Sequence, residues 1–127
     1  METDITVNVR YMVNDVTAAI DFYTQYLGFK LLTNYAPAFA DVKRGNLRLL
    51  LSGEKSSAGR EMPDGTVPVP GGWNRFQIIV PDINSEVAKL REQGLKFRNE
   101  IIKGPGGSQI LLLDPSGNFI ELFEPAH

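Results

Sequence analysis

The sequence contains no cysteine, and its only histidine is His127, the last residue. Disulfides, thiolate metal sites and cysteine nucleophiles are therefore excluded. A mechanism that needs an internal histidine as a base, a nucleophile or a metal ligand has no residue to use either. These two shortages remove many hydrolase and metalloenzyme classes from consideration.

An excess of charge of one sign is also missing. The chain has 13 Lys and Arg residues against 15 Asp and Glu residues, which gives a formal net charge of −2. This balance gives no reason to expect a nucleic-acid or anionic-membrane partner. No apolar run approaches membrane-spanning length, and the N-terminal stretch lacks the basic start and apolar core of a signal peptide. We therefore expect a cytoplasmic protein.

The chain does contain a repeated pattern of secondary-structure signals. Residues 5–13 alternate as a strand does, and residues 16–27 carry apolar side chains at helical spacing before Gly28. Three short strands with turn residues between them follow. The segment RFQIIVPDI then repeats NVRYMVNDV at an offset of 67 residues. After it we predict a helix over 84–93 and strands over 97–102, 108–113 and 118–123.

This duplication predicts a single domain made of two modules, because neither copy can bury its apolar face alone. Module one covers residues 1–52, module two covers residues 74–127, and residues 53–73 connect them. The connection is rich in Gly, Pro, Ser and charge. A segment of this kind is either a lid, a binding loop or a subunit-wrapping arm, or else a mobile linker. Trp73 adjoins the next strand and favours order in part of it.

Three segments carry a family resemblance: VNDVTAAIDFYTQYLGF at the first helix, VPDINSEVAKLREQG at the second, and DPSGNFIEL near the end. Together they resemble the vicinal oxygen chelate superfamily, which includes glyoxalases, bleomycin-resistance proteins and extradiol dioxygenases. The resemblance spans almost the whole chain. It implies an α+β fold of two tandem βαβββ modules whose curved mixed sheets form a shared cup. It also implies a homodimer.

Metal-dependent members of that family take four ligands from the first and last strands of each module. Carried over to this chain, the positions fall on Asn8, Leu50 (or Leu49 if the register shifts by one), Arg75 and Glu121. Leucine cannot ligate a metal, and a guanidinium repels a cation. The resemblance therefore implies a cup that holds no metal and needs no cofactor. Other acids and the terminal histidine can join only by a fold-back or a subunit swap: Asp41, Asp114 and His127.

The same resemblance places the first and last strands of a module side by side, so Arg75 and Glu121 should be neighbours. In one interpretation both are catalytic residues. Arg75 binds a ligand carboxylate, phosphate or enolate oxygen, and Glu121 orients it or acts as a base. In the other interpretation the two form an internal salt bridge. Either one explains why the apolar strand 118–123 carries a carboxylate.

Strand alternation and aromatic content extend the set of candidate ligand-binding residues. They are Asn8, Arg10, Met12, Phe39, Arg48, Leu50, Trp73, Gln77, Phe119 and Phe123. Arginines crowded into one concavity repel one another unless an anion or an acid lies between them. This favours an anionic or oxygen-rich small-molecule ligand. The alternatives are arginines that reach solvent and aromatic side chains that pack in the core.

Two functions compete on this basis. One is a binding or sequestration protein of the bleomycin-resistance type, which needs only affinity. The other is a lyase or isomerase without a metal, in which Arg75 stabilises an oxyanion and Glu121 moves a proton. A metal-dependent lyase or dioxygenase requires ligands that the matched positions do not offer. The remaining possibility is that the cup has lost its function and that the protein serves in an assembly.

Overall fold

The computed structural model describes residues 6–127, so Ile5, the first residue of the first predicted strand, lies outside the described residues. The chain divides into two compact units at Gly71 and Gly72. Over residues 6–127, each unit has one α-helix and one four-stranded mixed sheet, and the sheets are not closed. The predicted α+β class with two similar modules is therefore confirmed. A cup shared by the two sheets stays a prediction.

The first unit follows the order strand, helix, strand, strand, strand. Its elements are β1 (Val7–Met12), α1 (Val16–Tyr26), β2 (Lys30–Tyr35), β3 (Phe39–Arg44) and β4 (Leu47–Ser52). The strands lie in the order β1-β4-β3-β2, with β1 parallel to β4 and the other pairs antiparallel. The core forms where buried side chains of α1 face the alternate, fully buried positions of β3 and β4, such as Val42, Leu49 and Leu51.

The second unit repeats this order. Its elements are β5 (Phe76–Ile79), α2 (Ile83–Glu92), β6 (Ile102–Gly104), β7 (Gly107–Leu113) and β8 (Phe119–Pro125). The strand order is β5-β8-β7-β6, and β5 is parallel to β8. Ile110, Leu112, Ile120 and Leu122 are buried on one face of this sheet. The buried side of α2 supplies the remaining apolar contacts.

Both helices begin at an aspartate. The Asp15 carboxylate accepts from the Ala18 N–H at 3.0 Å, and the Asp82 carboxylate accepts from the Ser85 N–H at 3.1 Å. These side chains satisfy N–H groups that have no carbonyl partner within the helix. The two caps are 67 residues apart, which is the offset of the sequence repeat.

The strand predicted over 97–102 is mostly wrong. Phe97 makes a single antiparallel bridge with Leu112, and regular pairing starts only at Ile102 in β6. The reason is a side chain, because Asn99 Oδ1 accepts from the Leu111 N–H at 3.0 Å. The Leu111 N–H is therefore not available to a backbone carbonyl. The segment runs beside β7 without forming a strand.

The connecting segment 53–73 contains two local structures. Ser57–Gly59 form a short 3₁₀ helix. Further on, the Met62 N–H donates to the Thr66 carbonyl at 2.7 Å. Hydrogen bonds from the backbone N–H and hydroxyl of Thr66 hold the pKa of Asp64 below its ordinary value of 3.8. Whether the segment acts as a lid or an arm stays a prediction. No helix within residues 6–127 is long and apolar enough to cross a membrane.

Candidate functional site

The second sheet has one buried face and one face that carries polar side chains. Strand register pairs Gln77 with Glu121 across β5 and β8, and Leu111 with Glu121 across β7 and β8. Because side chains alternate along a strand, these residues lie opposite the buried face that α2 covers. We call this side the open face of the second sheet. It carries Gln77, Gln109, Leu111, Phe119, Glu121 and Phe123, with Arg75 just before β5.

Glu121 is buried, with 7% of the residue exposed, and both of its carboxylate oxygens accept hydrogen bonds. Arg75 donates to Oε1 from Nε at 3.0 Å and from Nη2 at 2.9 Å. Gln77 donates to Oε2 from Nε2 at 2.7 Å. The remaining Nη1 of Arg75 donates to the Trp73 carbonyl at 3.0 Å. The structure thus brings Arg75, Gln77 and Glu121 together, and the Arg75–Glu121 pair is satisfied within the protein.

Trp73 lies at the edge of the same face with its indole largely in solvent. The residue is 64% exposed, and its ring lies 5.0 Å from the Phe119 ring, centroid to centroid, at an interplanar angle of 49°. Phe119 is itself half-buried. One side of the indole is therefore supported by Phe119 while the rest stays accessible, an arrangement that suits stacking with a planar ligand.

A cleft of about 340 Å³ opens beside Trp73 and Arg75. Its other walls come from the segment before β6 and from β6 and β7: Arg98, Asn99, Ile102, Gln109 and Leu111. This volume lies at the lower end of the usual range for small-molecule sites. None of these five residues was predicted from the sequence. The alternation of SQILLL was the one signal that could have placed Gln109 and Leu111 on this face.

The first sheet has a corresponding polar face opposite α1. Register pairs Asn8 with Arg48 and Arg10 with Leu50, and it places Met12 and Phe39 on either side of Ser52. The predicted ligand-binding residues of module one thus share one face. Asn8 and Arg10 are exposed, whereas the other four are half-buried.

Two arginines on this face already have partners in the protein. Arg48 Nε donates to Asp41 Oδ2 at 2.7 Å, and Arg10 Nη1 donates to Ser52 Oγ at 2.8 Å. Asp41 is 1% exposed, and its Oδ1 has no hydrogen-bond partner within residues 6–127. Arg10 is thus bonded to a hydroxyl, whereas Arg48 is paired with the carboxylate of Asp41, a role that we did not predict for Asp41. Its alternation with Phe39 along β3 was the available signal.

The side chains present do not fit the metal that metal-dependent relatives hold. On the second sheet a guanidinium is bonded to the one carboxylate at a matched position. The oxygens of Asp114 are used inside its own turn, at 2.8 Å from the Ser116 N–H and 3.0 Å from Asn118 Nδ2. Within the described part of the chain, no three His, Cys, Asp or Glu side chains group together as a metal site would need.

The family model of the Glyoxalase/Bleomycin resistance protein/Dioxygenase superfamily matches residues 6–122. The chain belongs to this superfamily. The match covers both units, so the resemblance stated from sequence is confirmed.

The chain is also similar to a curated protein and to solved structures of about its own length. The chain is 27% identical over 120 residues to the uncharacterized protein YwbC of Bacillus subtilis, covering 89% of this chain and 91% of the relative. A superfamily member from Sphaerobacter thermophilus is 26% identical with a TM-score of 0.75, covering 96% of this chain and 98% of that one. TnmS3, an antibiotic binding protein from Streptomyces, is 24% identical with a TM-score of 0.72 and 99% coverage of both chains, and it shows the fold alone.

Proposed function

We propose that this protein binds a small anionic or oxygen-rich organic molecule in a metal-free site on the open face of the second sheet. The observation that carries the proposal is a cleft of about 340 Å³ next to a carboxylate whose two oxygens are already bonded. Arginine and tryptophan walls suit binding, because they offer charge-assisted hydrogen bonds and ring contact.

A binding function is better supported than a catalytic function in which Arg75 and Glu121 carry out the reaction. A general base must lie within hydrogen-bond reach of the substrate proton, and Glu121 is buried and is not among the residues that line the cleft. Both oxygens of Glu121 accept from protein donors, and Arg75 also donates to the Trp73 carbonyl. A metal-dependent lyase or dioxygenase conflicts with the donor set at the matched positions.

The description of the superfamily names a resistance protein beside two kinds of enzyme, so a role without catalysis is compatible with the family. The fold neighbour TnmS3 is by name an antibiotic binding protein. Its likeness supports only that this fold can serve such a role. The nature of the ligand follows from the charges on the open face and not from the neighbour.

The proposal is tested by calorimetric titration of the untagged protein with three matched compounds: benzoate, uncharged methyl benzoate and cationic benzylamine. Citrate serves as an oxygen-rich anion without a ring. We expect at least one of the two anions to bind and the cation not to bind. Binding of benzylamine alone, or of none of the four compounds, would contradict the proposal. Glu121→Gln should keep most of the affinity, because the glutamine amide can still accept from Arg75.

A further inference from the structure

Arg98 lies on the open face of the second sheet although no strand carries it. Its neighbour Phe97 bridges to Leu112, which is buried on the opposite face. Arg91 of α2 also lies over the Phe97 ring, 5.3 Å from its centroid, so Phe97 is on the helix side. Successive side chains of an extended segment alternate, which directs Arg98 away from α2 and into the cleft it lines.

The backbone around Arg98 is fixed to β7 by two hydrogen bonds to one residue. The Arg98 N–H donates to the Leu111 carbonyl at 2.8 Å, and the Leu111 N–H donates to Asn99 Oδ1 at 3.0 Å. The side chain of Asn99 thus completes the pairing that a regular strand would supply. Arg98 is consequently presented from a defined position on the sheet, as a binding residue requires.

The charge of Arg98 is not neutralised by any residue in the range 6–127. Its guanidinium makes no hydrogen bond or ion pair there, whereas Arg75 on the same cleft is paired with Glu121. The nearby acid Glu100 is engaged on the other side, at 3.2 Å from Arg91. The two arginines and one glutamate therefore leave the cleft with a surplus positive charge, and Arg98 supplies it.

We propose that Arg98 is the anion-binding residue of the cleft and that Trp73 is the platform for the ligand's ring. The ligand class is then a small planar aromatic carboxylate, a refinement that rests on the proposed binding function. A guanidinium presents parallel donors that match a carboxylate. The exposed indole offers a flat surface on the same cleft, and Ile102 and Leu111 contribute apolar walls.

The test uses the intact protein and benzoate, with two independent readouts. Trp73 is the only tryptophan of the chain, so its fluorescence reports directly on the platform. Titration calorimetry gives the Kd of the parent, of Arg98→Met and of Arg91→Met. The Arg91 variant removes the same charge from the same unit but on the helix side. We expect Arg98→Met to weaken benzoate binding by about tenfold or more, since the variant loses the charge-assisted hydrogen bonds to the carboxylate.

We expect Arg91→Met to bind benzoate as the parent does, and saturating benzoate to change the Trp73 emission. Circular dichroism should show Arg98→Met folded, because the Arg98 side chain makes no hydrogen bond or ion pair within residues 6–127. Unchanged affinity in Arg98→Met overturns the proposal, as does unchanged Trp73 emission at saturation. If Arg75→Met weakens binding and Arg98→Met does not, the anion site belongs to Arg75 and the binding function stands. If citrate binds and benzoate does not, the aromatic ligand class and the Trp73 platform are both wrong, and the proposed binding function stands.

Discussion

Glu121 illustrates how a carboxylate is accommodated in an apolar strand. Its neighbours in sequence are Ile120 and Leu122, both buried on the other face. An ion removed from water is tolerated when donors replace its hydration, and here Arg75 and Gln77 do so at 2.7 to 3.0 Å. Arg75 keeps 29% of its side chain exposed, so its charge stays partly in contact with water.

Arg75→Met should therefore destabilise the protein, because it leaves a buried carboxylate with only one donor. We expect the free energy of unfolding to fall by about 2–3 kcal/mol. Urea denaturation of the parent, Arg75→Met, Glu121→Gln and the double variant forms a double-mutant cycle. The double variant should recover part of the loss, since its glutamine no longer carries a charge. Additive single effects would mean that the two side chains do not stabilise each other, and Arg91→Met serves as the control.

The sequence allowed us to predict that Arg75 and Glu121 are neighbours, because the family's strand order places the first and last strands of a module side by side. The partners that Gln77 and Asp41 take could not be predicted. Hydrogen bonds between side chains depend on rotamers and on the exact register of strands that are far apart in sequence, such as β3 and β4 around Asp41. Arg98 was missed for a related reason. Next to Arg98, the side chain of Asn99 accepts the hydrogen bond that a backbone carbonyl would accept in a regular strand. Residue types alone do not indicate this exchange of acceptors.

The aspartates that cap the two helices lie at equivalent positions of the sequence repeat, so we expect them to contribute similarly to the free energy of unfolding. Asp15→Ala should lower the free energy of unfolding by about 1 kcal/mol, because the Ala18 N–H loses its acceptor. Asp82→Ala should cost a similar amount at the Ser85 N–H. Thermal denaturation compares both with Asp15→Asn and Asp82→Asn, which keep an acceptor. A cost as large in the Asn variants as in the Ala variants would show that capping is not the cause.

Element order was predictable because apolar periodicity and turn residues are local. The predicted helix 16–27 and the observed α1 differ by one residue at the end, and the predicted strand 108–113 differs from β7 by one at the start. The strand predicted over 97–102 was mostly wrong because this segment lies at the edge of the sheet, where a short strand depends on one neighbour for pairing. Edge strands have one partner, so a single side-chain hydrogen bond is enough to disrupt them.

At the scale of the whole molecule, the two units repeat one architecture but differ in what their polar faces carry. On the first unit, Arg48 is bonded to Asp41 and Arg10 to Ser52. On the second unit, a carboxylate that accepts hydrogen bonds at both oxygens lies beside an open cleft. Duplicated modules can diverge in this way because the helix-covered faces keep the fold while the other faces are free to change. The expected homodimer stays a prediction, and it does not affect the argument for either unit.

The same divergence leads to a prediction about metals. Untagged protein incubated with Mn²⁺, Fe²⁺, Ni²⁺ or Zn²⁺ and then desalted should retain less than about a tenth of an equivalent, because residues 6–127 do not bring together the three or four ligands that such sites use. Elemental analysis measures this directly, and a histidine tag must be absent because it would bind metal itself. Glu121→Ala is the matched variant. A full equivalent that is retained by the parent and lost in Glu121→Ala would mean that Arg75 gives way to a cation. In that case the metal-dependent lyase or dioxygenase, and not a binding protein, would be the function to pursue.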